Sequence, residues 1–314
     1  MKQEKLNKIL MASLIVLTTV TTVVFYLSQR EQGSDVEKGL FKMDASEQVD
    51  RVTLERNGVA VNLHYDGVRW MVNDSLEADR QMVKVLFATI DQVEAKREVG
   101  ENLRDSVSRE VRSQGVHVKF YMQNEVVSEI WVGGNKSKTQ AYFLREGDAM
   151  PYVVGIPGYR VYAAGIFEQN INQWRDKRVF NFNWRNFKGL AVAFPKEQEQ
   201  GFTVTMKERY FGIDGVEEID TTRLNDYLDA MSLLEAETFY TAGESPRFDS
   251  LLNVPPSFSI DVNGIGNRNY HLEIYPPLRN VNQVVGRIGT EPALFQKRDI
   301  VQIAKKRSFF KKQP

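Results

Sequence analysis

Residues 79–93 read DRQMVKVLFATIDQV, and residues 220–234 read DTTRLNDYLDAMSLL. In the first stretch Val83, Leu86, Phe87, Ile90 and Val93 follow the i, i+3, i+4, i+7 spacing that lines one face of an α-helix. In the second, Leu224, Tyr227, Leu228, Met231 and Leu234 occupy the same places 141 residues later. Asp79 opens one run; Asp220, or the threonines just after it, opens the other. A carboxylate or hydroxyl there can accept from the unpaired N–H groups of the first turn, the mark of a helix start.

The repetition extends outward from the helices. Val61, Leu63 and Tyr65 alternate as Phe202, Val204 and Met206 do, and Trp70 and Val72 answer to Phe211 and Ile213. Downstream, Val116-Val118-Phe120 matches Phe258-Ile260-Val262, and Glu129-Ile130-Trp131 matches Glu273-Ile274-Tyr275. Pro151 then aligns with Pro292, and Val153-Val154 with Leu294-Phe295. An ordered series of matches at nearly constant offset predicts an internal duplication. Strand runs broken by a single helix predict α+β modules with antiparallel sheets, each having one face on its helix and the other wet. The expected boundaries are a first repeat at 48–174, a join at 175–187 and a second repeat at 188–314.

Ahead of the repeats, residues 9–27 read ILMASLIVLTTVTTVVFYL, nineteen residues without a charge. At about 1.5 Å per residue such a helix reaches roughly 28 Å, the thickness of a bilayer's hydrocarbon core. Thr18, Thr19, Thr21 and Thr22 can satisfy their hydroxyls on carbonyls one turn back, and Tyr26 suits the far interface. Lys2, Lys5 and Lys8 favour a cytoplasmic N-terminal tail at 1–8. The run is too long for a signal-peptide core and lacks a small-residue cleavage site, so an uncleaved anchor is expected. Residues 28–47 are polar and read as a tether. The expectation is an inner-membrane protein with its folded part in the periplasm, in contact with membrane lipid.

Composition narrows the chemistry. Lys+Arg and Asp+Glu number 41 each, which argues against a nucleic-acid partner held by a general positive field. With no cysteine, thiolate metal sites, lipoprotein anchoring and cysteine nucleophiles are excluded. His64, His117 and His271 each sit at an outward strand position without a metal-type neighbour, so no metal or cofactor is expected. The acids Asp74, Glu77 and Asp79, and Asp214, Glu217, Glu218 and Asp220, precede the two helices, where capping explains them better than glycoside hydrolysis. Gly133-Gly134-Asn135-Lys136 lacks the spacing of a phosphate loop and reads as a turn. In the join, Trp174, Arg175, Phe180, Phe182, Trp184 and Phe187 could stack on sugars, but they are expected to pack between the two domains. The tail KKRSFFKKQP at 305–314 reads as a frayed, solvated terminus.

PYVVGIPGY (Pro151–Tyr159) followed by WRDKRVF (Trp174–Phe180), behind a short lysine-bearing N-terminus and one span, resembles membrane-anchored proteins of the domain-of-unknown-function 4340 family. The second repeat departs from it at Pro292-Ala293-Leu294-Phe295, where no Ile-Pro-Gly follows. The resemblance implies no catalytic residue. It implies company with gliding-type auxiliary ABC transporters, and therefore a scaffold or accessory subunit with a membrane-protein partner. The expected interaction surface comprises Ile156, Pro157, Gly158, Tyr159, Trp174, Arg175, Asp176 and Trp184. A periplasmic glycan-binding module is the alternative reading, and a cell-wall hydrolase the third.

Overall fold

The computed structural model describes residues 2–30, 36–43, 46–183, 185–207, 210–241, 243–265 and 269–312. The chain divides into two compact units, Met1–Arg175 and Asp176–Pro314. It opens with helix α1 (Lys2–Arg30). Among the described residues no helix is long and apolar enough to cross a membrane. Within α1 the hydroxyls of Thr18, Thr19, Thr21 and Thr22 donate to carbonyls one turn back at 2.7–2.8 Å.

In unit 1, strands β1 (Arg51–Arg56), β2 (Val59–Tyr65), β3 (Trp70–Val72) and β4 (Leu76–Glu77) lead into helix α2 (Arg80–Gln92). Strand β5 (Glu94–Glu98) and helix α3 (Glu101–Gln114) follow, then β6 (Val116–Met122), β7 (Glu125–Gly134), β8 (Ala141–Arg145), β9 (Tyr152–Gly155) and the short helix α4 (Ile171–Trp174). The antiparallel sheet runs β4-β3-β2-β1-β6-β7-β8-β9-β5.

Unit 2 contains β10 (Phe187–Ala193), β11 (Phe202–Lys207), β12 (Tyr210–Ile213) and helix α5 (Thr221–Ser232). Next come β13 (Thr238–Phe239), α6 (Pro246–Asp249), β14 (Phe258–Gly264), β15 (Asn269–Ile274), β16 (Gln283–Ile288), β17 (Glu291–Gln296) and α7 (Lys297–Ile303). Its sheet runs β12-β11-β10-β14-β15-β16-β17-β13. With β4 set aside, the two orders correspond strand for strand.

The helices take the expected faces. Val83, Leu86 and Ile90 of α2 are buried against the first sheet, and Leu224, Tyr227, Leu228 and Met231 of α5 against the second. Phe87 is only half-buried and rests at the edge of that face against Trp70, 5.4 Å between ring centroids. Asp79 accepts from the N–H groups of Gln81 and Met82 at 2.7 and 3.1 Å, and Asp220 from that of Arg223 at 3.1 Å. Each cap residue also donates its own N–H across the unit, Asp79 to the Trp174 carbonyl at 2.7 Å and Asp220 to the Phe310 carbonyl at 2.9 Å. Trp174 and Phe310 are themselves fully buried, the latter between Phe202 and Tyr227 at 5.0 and 5.2 Å. One isolated bridge, Ala78 with Arg175 or Ile219 with Lys311, finishes each closure.

Four expectations need correction. The 305–314 tail is not a solvated end, because Phe310 fills the second core while the lysines around it stay outside. The 28–47 stretch is not a free tether: within it, residues 36–43 pack on unit 1, with Phe41 buried against Phe143 and Tyr152 at 5.4 and 5.8 Å. The first sheet is not wet on its second face, where Val107 and Val111 of α3 pack with Val99, Leu144 and Val153. Among the described residues of the join, the aromatics expected between the domains lie within single cores: Trp174 belongs to the first, and Phe180, Phe182 and Phe187 to the second.

Large-to-small replacement of a buried aromatic typically costs about 3–5 kcal/mol. Phe310→Ala should therefore lower the stability of unit 2 by that amount in urea unfolding followed by hydrogen exchange. Asp220→Asn should cost no more than ~1 kcal/mol, since asparagine caps nearly as well. A loss for Phe310→Ala no larger than that of the cap variant would show the plug to be dispensable.

Candidate functional site

The segment after β9 leaves the sheet in a tight turn. Pro157 restricts its own φ, Gly158 takes the left-handed φ of 78°, and the Tyr159 N–H donates to the Ile156 carbonyl at 3.1 Å. Ile156 is half-buried against the first core, whereas Pro157, Gly158, Tyr159, Arg160 and Val161 are exposed. Tyr159 and Val161 are 62% and 54% exposed, apolar weight that a free loop tip does not need. The chain then returns at once to the body of the unit. Ala163, Ala164 and Phe167 enter the core, and the Gln169 side chain donates to the Gly165 carbonyl at 2.6 Å.

Tyr162, at the base of this turn, lies over Gly134. A Cβ on Gly134 would stand 2.4 Å from the tyrosine ring, so only glycine lets the ring seat there. The Tyr162 hydroxyl donates to Glu168 Oε1 at 2.6 Å, and Lys138 Nζ meets Glu168 Oε2 at 2.8 Å. Burial, reinforced by the bond to Glu168, pushes the Tyr162 hydroxyl pKa well above its ordinary value. Lys138 has a left-handed φ of 53° in the β7–β8 turn. Asn135 Oδ1 braces that turn by accepting from Thr139 and Gln140 N–H at 2.8 and 3.1 Å. Between these groups and α3 lies a cleft of about 290 Å³ lined by Arg56, Glu110, Gln114, Lys136, Tyr142 and Tyr162. Of the Gly133–Lys136 segment, Gly133 and Gly134 end strand β7 in register with β8, and only Asn135 and Lys136 enter the turn.

The eight residues expected to form one surface do not lie together. Ile156, Pro157, Gly158 and Tyr159 form the exposed turn. Trp174 is buried in the first core and offers no ring to a partner. Arg175 is half-buried and bridges to Ala78, while Asp176 accepts from the Arg178 N–H and guanidinium at 3.0 and 2.9 Å. Trp184 lies outside the described residues. Four of the acids ahead of the helices are engaged: beside the two caps, Glu77 pairs with Arg69 at 2.7 Å, and Asp74 lies 3.0 Å from His64.

The sequence reading missed one constellation, on the outer face of the first sheet. Strand register sets His117 opposite Trp131 and Lys119 opposite Glu129. The imidazole and indole stack at 4.1 Å and 6°. Glu129 Oε1 lies 2.9 Å from both His117 Nε2 and Lys119 Nζ. Just past β8, Glu146 accepts from Trp131 Nε1 and from Arg112, the latter at 2.9 Å. The Trp131 bond, with Arg112 behind it, holds the Glu146 carboxyl below the usual range, and the bond to Glu129 raises the Lys119 pKa. Because the folded value of Glu146 is the lower one, its contribution is complete above the ordinary glutamate range and is lost as pH falls through the folded value. The local signal was only His-x-Lys and Glu-x-Trp alternation; the pairing that joins them is not local.

A family model described as Domain of unknown function (DUF4340) matches residues 70–250. No curated protein and no solved structure matches the chain.

Gly134→Ala forces the Tyr162 ring off its seat and should destabilise the protein by about 1–3 kcal/mol, as overpacking does. Adding Tyr162→Ala should recover part of that loss in thermal unfolding, because the two positions touch. Simple additivity of the two losses would show that they do not share the seat.

Proposed function

The chain belongs to the DUF4340 family, and from that premise we propose that it is a non-enzymatic, single-pass membrane protein that presents a duplicated interaction module in the periplasm. Its task in this reading is that of an accessory or scaffold subunit of an ABC-transporter-like envelope complex. The uncharged 9–27 run within α1 supports the anchor, and Lys2, Lys5 and Lys8 support a cytoplasmic N-terminus. The corresponding strand orders, the aspartate caps at the same place and the aromatic closures at Trp174 and Phe310 support the duplication.

The observation that carries the interaction role is the exposed Pro157–Val161 turn on its packed base. Among the described residues it exists in one unit only: the corresponding segment of the other unit carries Pro292 inside β17 and continues directly into α7. A turn with exposed Tyr159 and Val161 gives a partner an apolar anchor at low entropic cost, because its base is already ordered. Of the aromatics of the glycan reading, Trp174, Phe180, Phe182 and Phe187 lie in the two cores. Of the acids of the hydrolase reading, Asp79 and Asp220 cap helices, and Asp74 and Glu77 face His64 and Arg69.

A periplasm-active phosphatase fused after Pro314 should be active, and a cytoplasmic reporter at the same place silent. A photocrosslinker at Tyr159 should capture a transporter-type membrane subunit in native membranes, and Val161→Asp should abolish capture while thermal unfolding stays unchanged. Equal capture from exposed Val301 on α7 of unit 2 would defeat the assignment of the turn.

A further inference from the structure

We propose that His117, Glu129 and Glu146 form a binding site for one divalent transition-metal ion on the outer face of the first sheet. Their ligand atoms all lie within 4.8 Å of one another. Two donors about 2.0–2.1 Å from a zinc ion stand roughly 3.4 Å apart at the tetrahedral angle. His117 Nε2 and Glu129 Oε1, at 2.9 Å, are already inside that reach, and a Glu146 carboxylate oxygen lies within 4.8 Å of both. One imidazole and two carboxylates, with no thiolate, suit Zn²⁺, Co²⁺ or Mn²⁺ better than Cu⁺ and leave a coordination position open.

His117 Nε2 is occluded from solvent and lies 2.9 Å from Glu129 Oε1. A neutral imidazole that carries its proton on Nδ1 turns its Nε2 lone pair towards that carboxylate, and a cation between the two bonds both. The surroundings resemble an outer coordination shell. Trp131 fixes the plane of the imidazole by stacking and orients Glu146 through its indole N–H.

Two cations compete with the ion. Lys119 holds Glu129 and Arg112 holds Glu146, each with about a third of its side chain exposed and free to swing outward. Unit 2 supplies an internal control. There His271 places Asp261 on Nδ1 at 2.6 Å and Glu273 towards Nε2 at 3.8 Å. Carboxylates on opposite nitrogens of one ring cannot share an ion with it.

Equilibrium dialysis of the full-length protein in detergent against Zn²⁺, near neutral pH, reads the site directly. One ion per chain is expected. His117→Gln and Glu129→Gln should each weaken binding at least about tenfold, His271→Gln should leave it unchanged, and Lys119→Ala should tighten it severalfold by removing a competitor. Co²⁺ should give d–d absorption bands that His117→Gln abolishes. The proposal falls if the wild type holds no more Zn²⁺ than the His117→Gln protein, or if His271→Gln weakens binding as much. It falls equally if Lys119→Ala leaves binding unchanged or weaker, a result that decides the matter even if His117→Gln fails to fold.

Discussion

In each unit, one backbone hydrogen bond joins the start of the main helix to a buried aromatic far along the chain: the Asp79 N–H to Trp174, and the Asp220 N–H to Phe310. The aspartate side chain turns inward to cap its own helix, which leaves the main-chain donor to reach across the unit. The aromatic that supplies the carbonyl contributes roughly 1.5–3 kcal/mol of burial on its own account. These closures span about ninety residues of chain, so their loop entropy must be met before the helix is fixed over the sheet. Helix position, the packing of the strands beneath it and the sealing of the core all follow from that contact.

On this common frame the units differ in their second faces. Unit 1 covers part of its outer face with α3, a helix of fourteen residues, and sets Tyr162 on Gly134 beside it. In unit 2, Tyr240, Tyr275, Val285 and Leu294 meet Phe248, Leu251 and Leu252 from a connection of similar length that carries only the four-residue helix α6. The cleft between α3 and Tyr162, the exposed turn and the His117 constellation are all features of unit 1.

Much of this architecture was legible in the sequence, for an identifiable reason. The faces of α2 and α5 and the alternation of β2, β6, β11 and β14 are local periodicities, and local periodicity survives without knowledge of the fold. Helix α3 escaped because Val107 and Val111 are its only buried apolar residues; apart from exposed Leu103, its other residues are charged or polar. Phe310 and Phe41 escaped because each sits in a short lysine-bearing stretch, SFFKK at 308–312 and GLFKM at 39–43, too short to show a period. Trp174 was noticed for its chemistry and misplaced for the same reason: composition shows that an aromatic is present, not which core receives it. The His117 cluster depends on the β6–β7 register and on the approach of Glu146, neither of which is a property of a short window.

The segment at 36–43 changes how a mechanical load would enter the molecule. A pull from α1 does not arrive first at β1. It arrives at Phe41, wedged against Phe143 on β8 and Tyr152 on β9, and at Lys38, whose carbonyl accepts from Ala95 on the edge strand β5 at 3.1 Å. Lys42, paired with Glu94 at 2.9 Å, and the Leu40 carbonyl, accepting from Arg145 at 2.8 Å, share the attachment. Tension is thus spread over three strands at one end of the sheet, while the β1–β2 pairing lies outside the line of force. The segment works as a strain relief, in the sense that a cable clamp protects the joint behind it.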